Sequence, residues 1–296
     1  MLEQNLEKFL EKKSKKWKII VIYWPTCCWK TSKSIEIAKK INSEIISTDS
    51  RQIFKYLNIW TWKIKDDEKE WIIHHMLDII EPNIDYSVWE FKKTSEILIE
   101  NILEKWKIPI LVWWTGLYID SLIYDFKIPK IQANKELREN LEKEALVFWK
   151  EYVYEKLKKL DPNYAKKLHF NNLRYVIRWL EIKILTWKSK LDFVEEKKLK
   201  YDTFFINPYD NNREKLYENI NKRIEIMFEE WLFDEVKNLL KMWYKKEDFW
   251  MKTIWYKEVI DFLEWNINLS ECKELIKKNN RNYAKRQLTW FRKYES

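Results

Sequence analysis

The sequence has almost no glycine. One residue of 296, Gly116, is glycine, where average usage of about 7% would supply about 21. Glycine is the residue that left-handed turns, helix C-caps and close backbone approaches to a ligand ordinarily require. Proline is scarce at 6 residues and histidine scarcer at 3. The three cysteines are Cys27, Cys28 and Cys272. An odd count with two adjacent excludes a disulfide framework and fits a reducing cytosol. Long apolar runs are missing too. The longest, Ile19 to Trp24 and Ile108 to Trp114, have strand length and fall far short of a bilayer span. The first residues carry Glu3, Glu7 and Glu11 and no long apolar segment. A secretory signal peptide is therefore not expected, and the chain is read as cytoplasmic and off the membrane.

Tryptophan is what the sequence has in excess. It occurs 19 times, although it is normally among the rarest residues. Glycine and tryptophan together number twenty, the count expected of glycine alone. Charged residues make up 35% and hydrophobic residues 46%, the balance of a soluble globular protein. The length allows one large domain or two, with a core that needs no disulfide or metal staple.

The tryptophans stand where glycines belong. Trp24 and Trp29 frame Trp-Pro-Thr-Cys-Cys-Trp-Lys-Thr at 24–31. With both read as glycine, this is G-x-x-x-x-G-K-T, a phosphate loop of the nucleotide-binding type. Trp113-Trp114-Thr115-Gly116 follows an apolar strand. Trp106, Trp149, Trp187, Trp243 and Trp265 sit near the ends of helix-like segments, where glycine caps occur. Some bacterial lineages read the UGA codon as glycine, and a translation that assigns UGA to tryptophan would write Trp at every such codon. Eighteen of the nineteen are expected to be glycine, with Trp290 the exception. Forcing a bulky residue into left-handed backbone costs roughly 1–2 kcal/mol, and overpacking a buried site adds roughly 1–3 kcal/mol. A whole domain has only about 5–15 kcal/mol to spare.

Along the chain, residues 1–16 form a charged helical lead-in. Ile19 to Tyr23 reads as a buried parallel strand, followed by the phosphate loop and a helix over Ser32 to Ile41. Further strands are expected at Glu44 to Ser47, Ile72 to Ile79, Ile108 to Val112 and Phe204 to Ile206. A long amphipathic helix is expected over Tyr86 to Lys105. Alternating strands and helices, with polar residues at the strands' C-terminal ends, predict an α/β protein with a P-loop NTPase-like parallel sheet core. From Lys127 to about Lys200 the chain is helical and charged. Residues 1–126 and 203–296 are therefore assigned to the core with C-terminal helices, and 127–202 to a helical insertion domain.

In the phosphate loop, backbone N–H groups of Trp24, Pro25, Thr26, Cys27, Cys28 and Trp29, so far as each has one, and of the following helix would cradle phosphate oxygens. Lys30 would neutralise phosphate charge, and the Thr31 hydroxyl would sit on Mg²⁺ or on phosphate. Asp49, just past the second strand, suits a metal ligand, a general base or a helix N-cap, since Ser50 to Phe54 could start a helix. His74 and His75 are adjacent, so they face opposite ways on a strand, and with His169 they read as structural. The net charge of +9 concentrates at Arg281, Lys285, Arg286, Arg292 and Lys293, interleaved with Tyr283, Trp290 and Phe291. Arg174 and Arg178 lie one helical turn apart. Basic residues among aromatics fit contact with an RNA backbone and stacking on its bases.

Read together, the motifs resemble the tRNA dimethylallyltransferase (tRNA isopentenyltransferase) family. With tryptophan as glycine they are G-P-T-C-C-G-K-T (24–31), I-I-S-T-D-S-R-Q-I-F (45–54), N-I-G-T-G-K (58–63), H-H-M-L-D-I (74–79), Y-S-V-G-E-F (86–91), I-P-I-L-V-G-G-T-G-L-Y (108–118), R-G-L-E-I (178–182) and A-K-R-Q-L-T-W-F-R (284–292). The last motif keeps its tryptophan in the family, which singles out Trp290. The resemblance implies a Mg²⁺-dependent prenyl transferase, acting as a monomer, with dimethylallyl diphosphate in the phosphate loop. Asp49 would be the base that deprotonates the exocyclic amine of an adenine beside the anticodon, and Thr31 and Arg223 would hold the diphosphate. The tRNA contacts it implies are Ser50, Arg51, Gln52, Thr115, Arg138, Arg174, Arg178, Lys252, Tyr256, Lys257, Lys285, Arg286, Gln287, Trp290 and Arg292. An adenylate isopentenyltransferase, a phosphoryl-transfer kinase and, were the tryptophans real, a basic RNA-binding protein are the competing readings.

Overall fold

The computed structural model describes the chain except for residues 1, 24, 27–29, 113–114, 125–128, 130, 132, 194–197, 231, 247, 249–254 and 296. Trp24, Cys27, Cys28, Trp29 and Lys252 thus lie outside the described residues, as do the side chains of Lys30 and Thr31. The elements in order are α1 (Leu2–Glu11), β1 (Lys18–Ile22), α2 (Lys30–Lys40), β2 (Ile45–Ser47), β3 (His74–His75), α3 (Val88–Glu104), β4 (Ile110–Val112) and α4 (Gly116–Ile123). They continue with α5 (Lys135–Val147), α6 (Trp149–Leu160), α7 (Pro162–Ala165), α8 (Leu173–Thr186), β5 (Asp202–Ile206), α9 (Arg213–Glu229), α10 (Leu232–Lys241), α11 (Tyr256–Leu263) and α12 (Leu269–Phe291).

The five strands form one sheet in the order β3-β2-β4-β1-β5, and every pairing is parallel. A parallel sheet is covered on both faces, so its strands read as unbroken apolar runs. Ile19 to Ile22, Ile45, Ile46 and Ile110 to Val112 are accordingly buried. Because all strands run one way, β1, β2 and β4 end at one edge of the sheet, the edge where open parallel sheets ordinarily bind ligands.

The third strand is shorter than the apolar pattern predicts. Only His74 and His75 pair, with Ile45 and Ile46 of β2. Met76 and Asp78 have φ of 63° and 54°, which turns the chain out of the extended conformation.

The chain divides into two compact units, Met1–Ile123 with Leu199–Ser296, and Tyr124–Lys198. The second starts a few residues before the expected 127, and Asp202, expected in the insertion, is the first residue of β5. The helical unit packs α5, α6 and α8 around Leu141, Val153, Leu157, Val176 and Leu180. Its buried carboxylate, Glu181, accepts from Arg138 Nε at 3.0 Å and Nη2 at 2.8 Å and from Arg178 Nη1 at 2.5 Å.

Backbone handedness singles out tryptophan. Among the described residues thirteen non-glycine residues have positive φ, and seven of them are Trp62, Trp106, Trp149, Trp187, Trp243, Trp255 and Trp265. Gly116, by contrast, owes its identity to space. It opens α4, and a side-chain carbon built on it would collide with the Trp290 indole.

Candidate active site

The turn after β2 brings Asp49 to the C-terminal edge. Ser47, Thr48 and Asp49 are all buried, and burial obliges each polar group to find a partner. Thr48 Oγ1 donates to the Val112 carbonyl at 3.0 Å, and the Thr48 carbonyl accepts from the Thr115 N–H at 3.3 Å. Thr115 Oγ1 in turn accepts from the Ser50 N–H at 3.0 Å. These bonds tie the end of β2 to the segment after β4. Asp49 Oδ1 accepts the Arg51 N–H at 2.7 Å, so the carboxylate caps its own turn. Asp49 is also close enough to raise the Tyr283 hydroxyl, which burial first and then the Asp49 charge push up to about 12.

Arg223, from α9, reaches the same edge. It is buried, and its Nη1 donates to Thr26 Oγ1 at 2.9 Å. Its Nη2 donates to the Trp60 carbonyl at 3.3 Å, and its guanidinium lies 4.8 Å from the centre of the Trp62 ring. Thr26 belongs to the expected phosphate loop, so a distant arginine is held against that loop by a hydrogen bond. Thr26 is also gripped from the C-terminal helix, where Gln287 Oε1 accepts its N–H at 3.1 Å.

Three expected tRNA contacts have other occupations here. Gln52 is fully buried. Its Nε2 donates to the Thr61 and Trp62 carbonyls at 3.2 and 3.4 Å, and its Oε1 accepts from Ser47 Oγ at 3.0 Å. Gln287 is buried on Thr26. Tyr256 is buried, and its hydroxyl donates to Glu235 Oε1 at 2.8 Å. In this arrangement all three brace the site from inside: α11 and α12 turn Tyr256 and Gln287 toward the core, and the turn after β2 does the same for Gln52. Arg138 and Arg178 are half committed to Glu181.

The remaining expected contacts face outward. Arg174, Lys257, Lys285, Arg286, Trp290 and Arg292 are exposed, and Ser50, Arg51 and Thr115 partly so. Lys285, Arg286, Thr289, Trp290 and Lys293 line one shallow groove on the last helix. Lys293 Nζ lies 4.2 Å from the Trp290 ring centre and also pairs with the buried Asp120.

Sequence reasoning missed Glu235 of α10. Its Oε2 accepts the Asn58 and Ile59 N–H groups at 2.7 Å each, and its Oε1 accepts the Trp60 N–H at 3.4 Å. An acid in the first turn of a helix looks like a dipole partner, and nothing local announces that it holds a loop far away in sequence. Lys63 was also missed. It is buried and donates to the Phe54 carbonyl at 2.7 Å and to Asp78 at 2.5 Å.

The chain is similar to known proteins over most of its length. The family described as IPP transferase matches residues 52–294. A tRNA dimethylallyltransferase of Alkaliphilus oremlandii is 44% identical over 283 residues, covering 95% of this chain and 90% of that protein. One from Halothermothrix orenii is 46% identical over 278 residues, covering 93% and 84%. Among solved structures, the full-length tRNA isopentenylpyrophosphate transferase of Bacillus halodurans superposes with a TM-score of 0.66 at 35% identity, covering 94% of this chain and 87% of that one. A eukaryotic dimethylallyltransferase acting on tRNA superposes with a TM-score of 0.80 at 31% identity, covering 93% and 70%. With its parallel sheet, its motifs and these relatives agreeing, the chain belongs to the IPP transferase family.

Proposed function

We propose that this chain transfers the dimethylallyl group of dimethylallyl diphosphate to the exocyclic amine of the adenine adjacent to the anticodon of tRNA, releasing diphosphate. The observation that carries the reading is the convergence of Asp49, Arg223 and Thr26 on one sheet edge, in a chain whose relatives are named for this reaction. The amine nitrogen attacks the allylic carbon as the carbon–oxygen bond to diphosphate breaks. The Asp49 carboxylate takes the proton that the nitrogen sheds. The leaving diphosphate gains negative charge, and Arg223, Lys30 and the loop N–H groups stabilise it in place. The target base leaves the anticodon stack to reach this edge. The exposed basic residues of α12 and Arg174 take the RNA backbone.

Magnesium fits the donor set. Among the described residues no three His, Cys, Asp or Glu side chains stand together, so no all-protein cage is built. An ion that keeps its waters and binds mainly substrate phosphates suits a site with one carboxylate and the Thr31 hydroxyl. Thr31 and the diphosphate would hold it, where it supplies positive charge to the leaving group. The chain is read as working alone, as a monomer in the cytoplasm. Among the described residues no helix is long and apolar enough to cross a membrane.

The test is labelled dimethylallyl diphosphate with an anticodon stem-loop, with AMP, and with neither. Label on the stem-loop adenine supports the reading. Label on AMP alone overturns it in favour of a nucleotide prenyltransferase, and no transfer to either leaves a binding role.

A further inference from the structure

The helix ends carry the strongest evidence in the molecule that the written sequence is not the working one. After α3, the Trp106 N–H donates to the Leu103 carbonyl at 2.9 Å and the Lys107 N–H to the Ile102 carbonyl at 3.2 Å. After α10, Trp243 donates to Leu240 at 3.1 Å and Tyr244 to Leu239 at 3.2 Å. After α11, Trp265 donates to Phe262 at 3.0 Å and Asn266 to Asp261 at 2.8 Å. These are three copies of one paired-bond helix terminus, whose left-handed residue is usually glycine because a Cβ is penalised there. Trp187 closes α8 in the same left-handed conformation. The indoles gain little in return: Trp106, Trp243 and Trp265 are between 87 and 91% exposed, and Trp106 meets only the edge of the Trp17 ring. A residue that is strained in its backbone and unburied in its side chain has no physical reason to be tryptophan.

From these termini, and from the positive φ of Trp62, Trp149 and Trp255, we propose that Trp62, Trp106, Trp149, Trp187, Trp243, Trp255 and Trp265 are glycine in the functional protein. The source is a UGA codon that the native ribosome reads as glycine. By the same codon the phosphate loop positions 24 and 29 are glycine, as their sequence spacing requires, and so are the remaining tryptophans except Trp290. Glycine at 62 also removes the ring that lies against the Arg223 guanidinium and frees that face for an anionic ligand. Trp290 stays, because its indole fills the space that Gly116 leaves.

Peptide masses of the protein from its native source decide the matter. The expected result is a glycine mass at each of the seven positions and at 24 and 29, with a tryptophan mass at 290. A tryptophan mass at 106, 187, 243 or 265 overturns the proposal. A second measurement compares two synthetic chains, one as written and one with glycine at the eighteen positions. The glycine chain should have the higher thermal midpoint and bind inorganic diphosphate. An as-written chain that is equally stable or more stable also overturns it.

A separate observation concerns the loop over 57–63, which is held from both sides. Glu235 accepts its N–H groups, while Gln52 and Arg223 donate to its carbonyls. These are backbone bonds, so they do not depend on which residue occupies position 60. Trp60 offers its N–H to Glu235 and its carbonyl to Arg223, which joins the carboxylate to the guanidinium through one residue. The geometry points to Glu235 as a positioning residue that sets Arg223 against Thr26. This rests on the reading that Arg223 holds diphosphate. Burial raises the Glu235 pKa while the bonds from residues 58–60 and Tyr256 draw it down.

The experiment measures inorganic diphosphate affinity, and kcat and KM for the stem-loop, in Glu235→Gln, Arg223→Lys and the double variant. Glu235→Gln should weaken diphosphate binding about tenfold and lower kcat with stem-loop KM unchanged. The double variant should be no weaker than Arg223→Lys alone, since residues in one hydrogen-bond network are coupled. Additive losses, or full affinity in Glu235→Gln, overturn the proposal. Full affinity in Arg223→Lys instead overturns the role given to Arg223. Should Glu235→Gln fail to fold, Tyr256→Phe removes one donor and should give a smaller loss in the same direction.

Discussion

The two edges of the sheet carry buried carboxylates with opposite fates. At the N-terminal edge Glu44, just before β2, is surrounded. His75 Nε2 lies 2.8 Å from one oxygen, and Lys105 and Lys107 Nζ lie 3.1 and 3.2 Å from the other. At the C-terminal edge Asp49 Oδ1 accepts the N–H of its own turn, and Arg223 reaches the same edge through Thr26 and Trp60. The first arrangement neutralises a charge and fastens three segments together. The second holds a carboxylate on its own turn, at the edge where Arg223 is bonded to Thr26. A parallel sheet supplies the same backbone at both edges, so the difference lies in what the flanking loops bring.

The largest effect that would sharpen this contrast is at Asp49. Asp49→Ala should lower single-turnover transfer by roughly a hundred- to ten-thousandfold while stem-loop affinity holds. Equal loss of both would remove the contrast between the edges. Next is Arg223→Ala, which should lower kcat by roughly a hundred- to a thousandfold and weaken diphosphate binding in calorimetry. Glu44→Gln should do the reverse and leave kcat intact while lowering stability by about 2 kcal/mol, read from denaturant unfolding. Its pH dependence has a definite sign. Hydrogen bonds from His75, Lys105 and Lys107 outweigh burial and hold the Glu44 carboxyl at about 2, below its ordinary 4.5. Its contribution is therefore complete above about pH 4.5 and is lost as pH falls toward 2, a loss Glu44→Gln should abolish. The smallest effect is at Lys285. Lys285→Ala should weaken stem-loop binding a few-fold and reduce its salt slope by about 1.

The strands were legible because parallel pairing demands continuous apolar runs, and all five expected runs contain or overlap a strand. The run at 72–79 shrank to two residues because handedness at Met76 and Asp78 is not written in hydrophobicity. Asp49 and Arg223 are expectations of the family resemblance, and the fold sets Asp49 just after β2 and Arg223 against Thr26. Gln52, Gln287 and Tyr256 were read as tRNA contacts although the fold turns them inward. Their partners, Thr61, Thr26 and Glu235, are set by tertiary packing that residue type does not encode. Glu235 was invisible for the same reason. Handedness at the helix ends, in contrast, was anticipated from composition alone, since a missing residue type leaves its positions behind.

The contact between Gly116 and the Trp290 indole has an optical consequence. A chain with glycine at the other eighteen positions has one indole, 41% exposed, in the groove with Lys285, Arg286 and Lys293. Its near-ultraviolet emission would then report from a single known place, beside the surface proposed for RNA. Docking of a stem-loop there would be read as a change in that emission, in unlabelled protein.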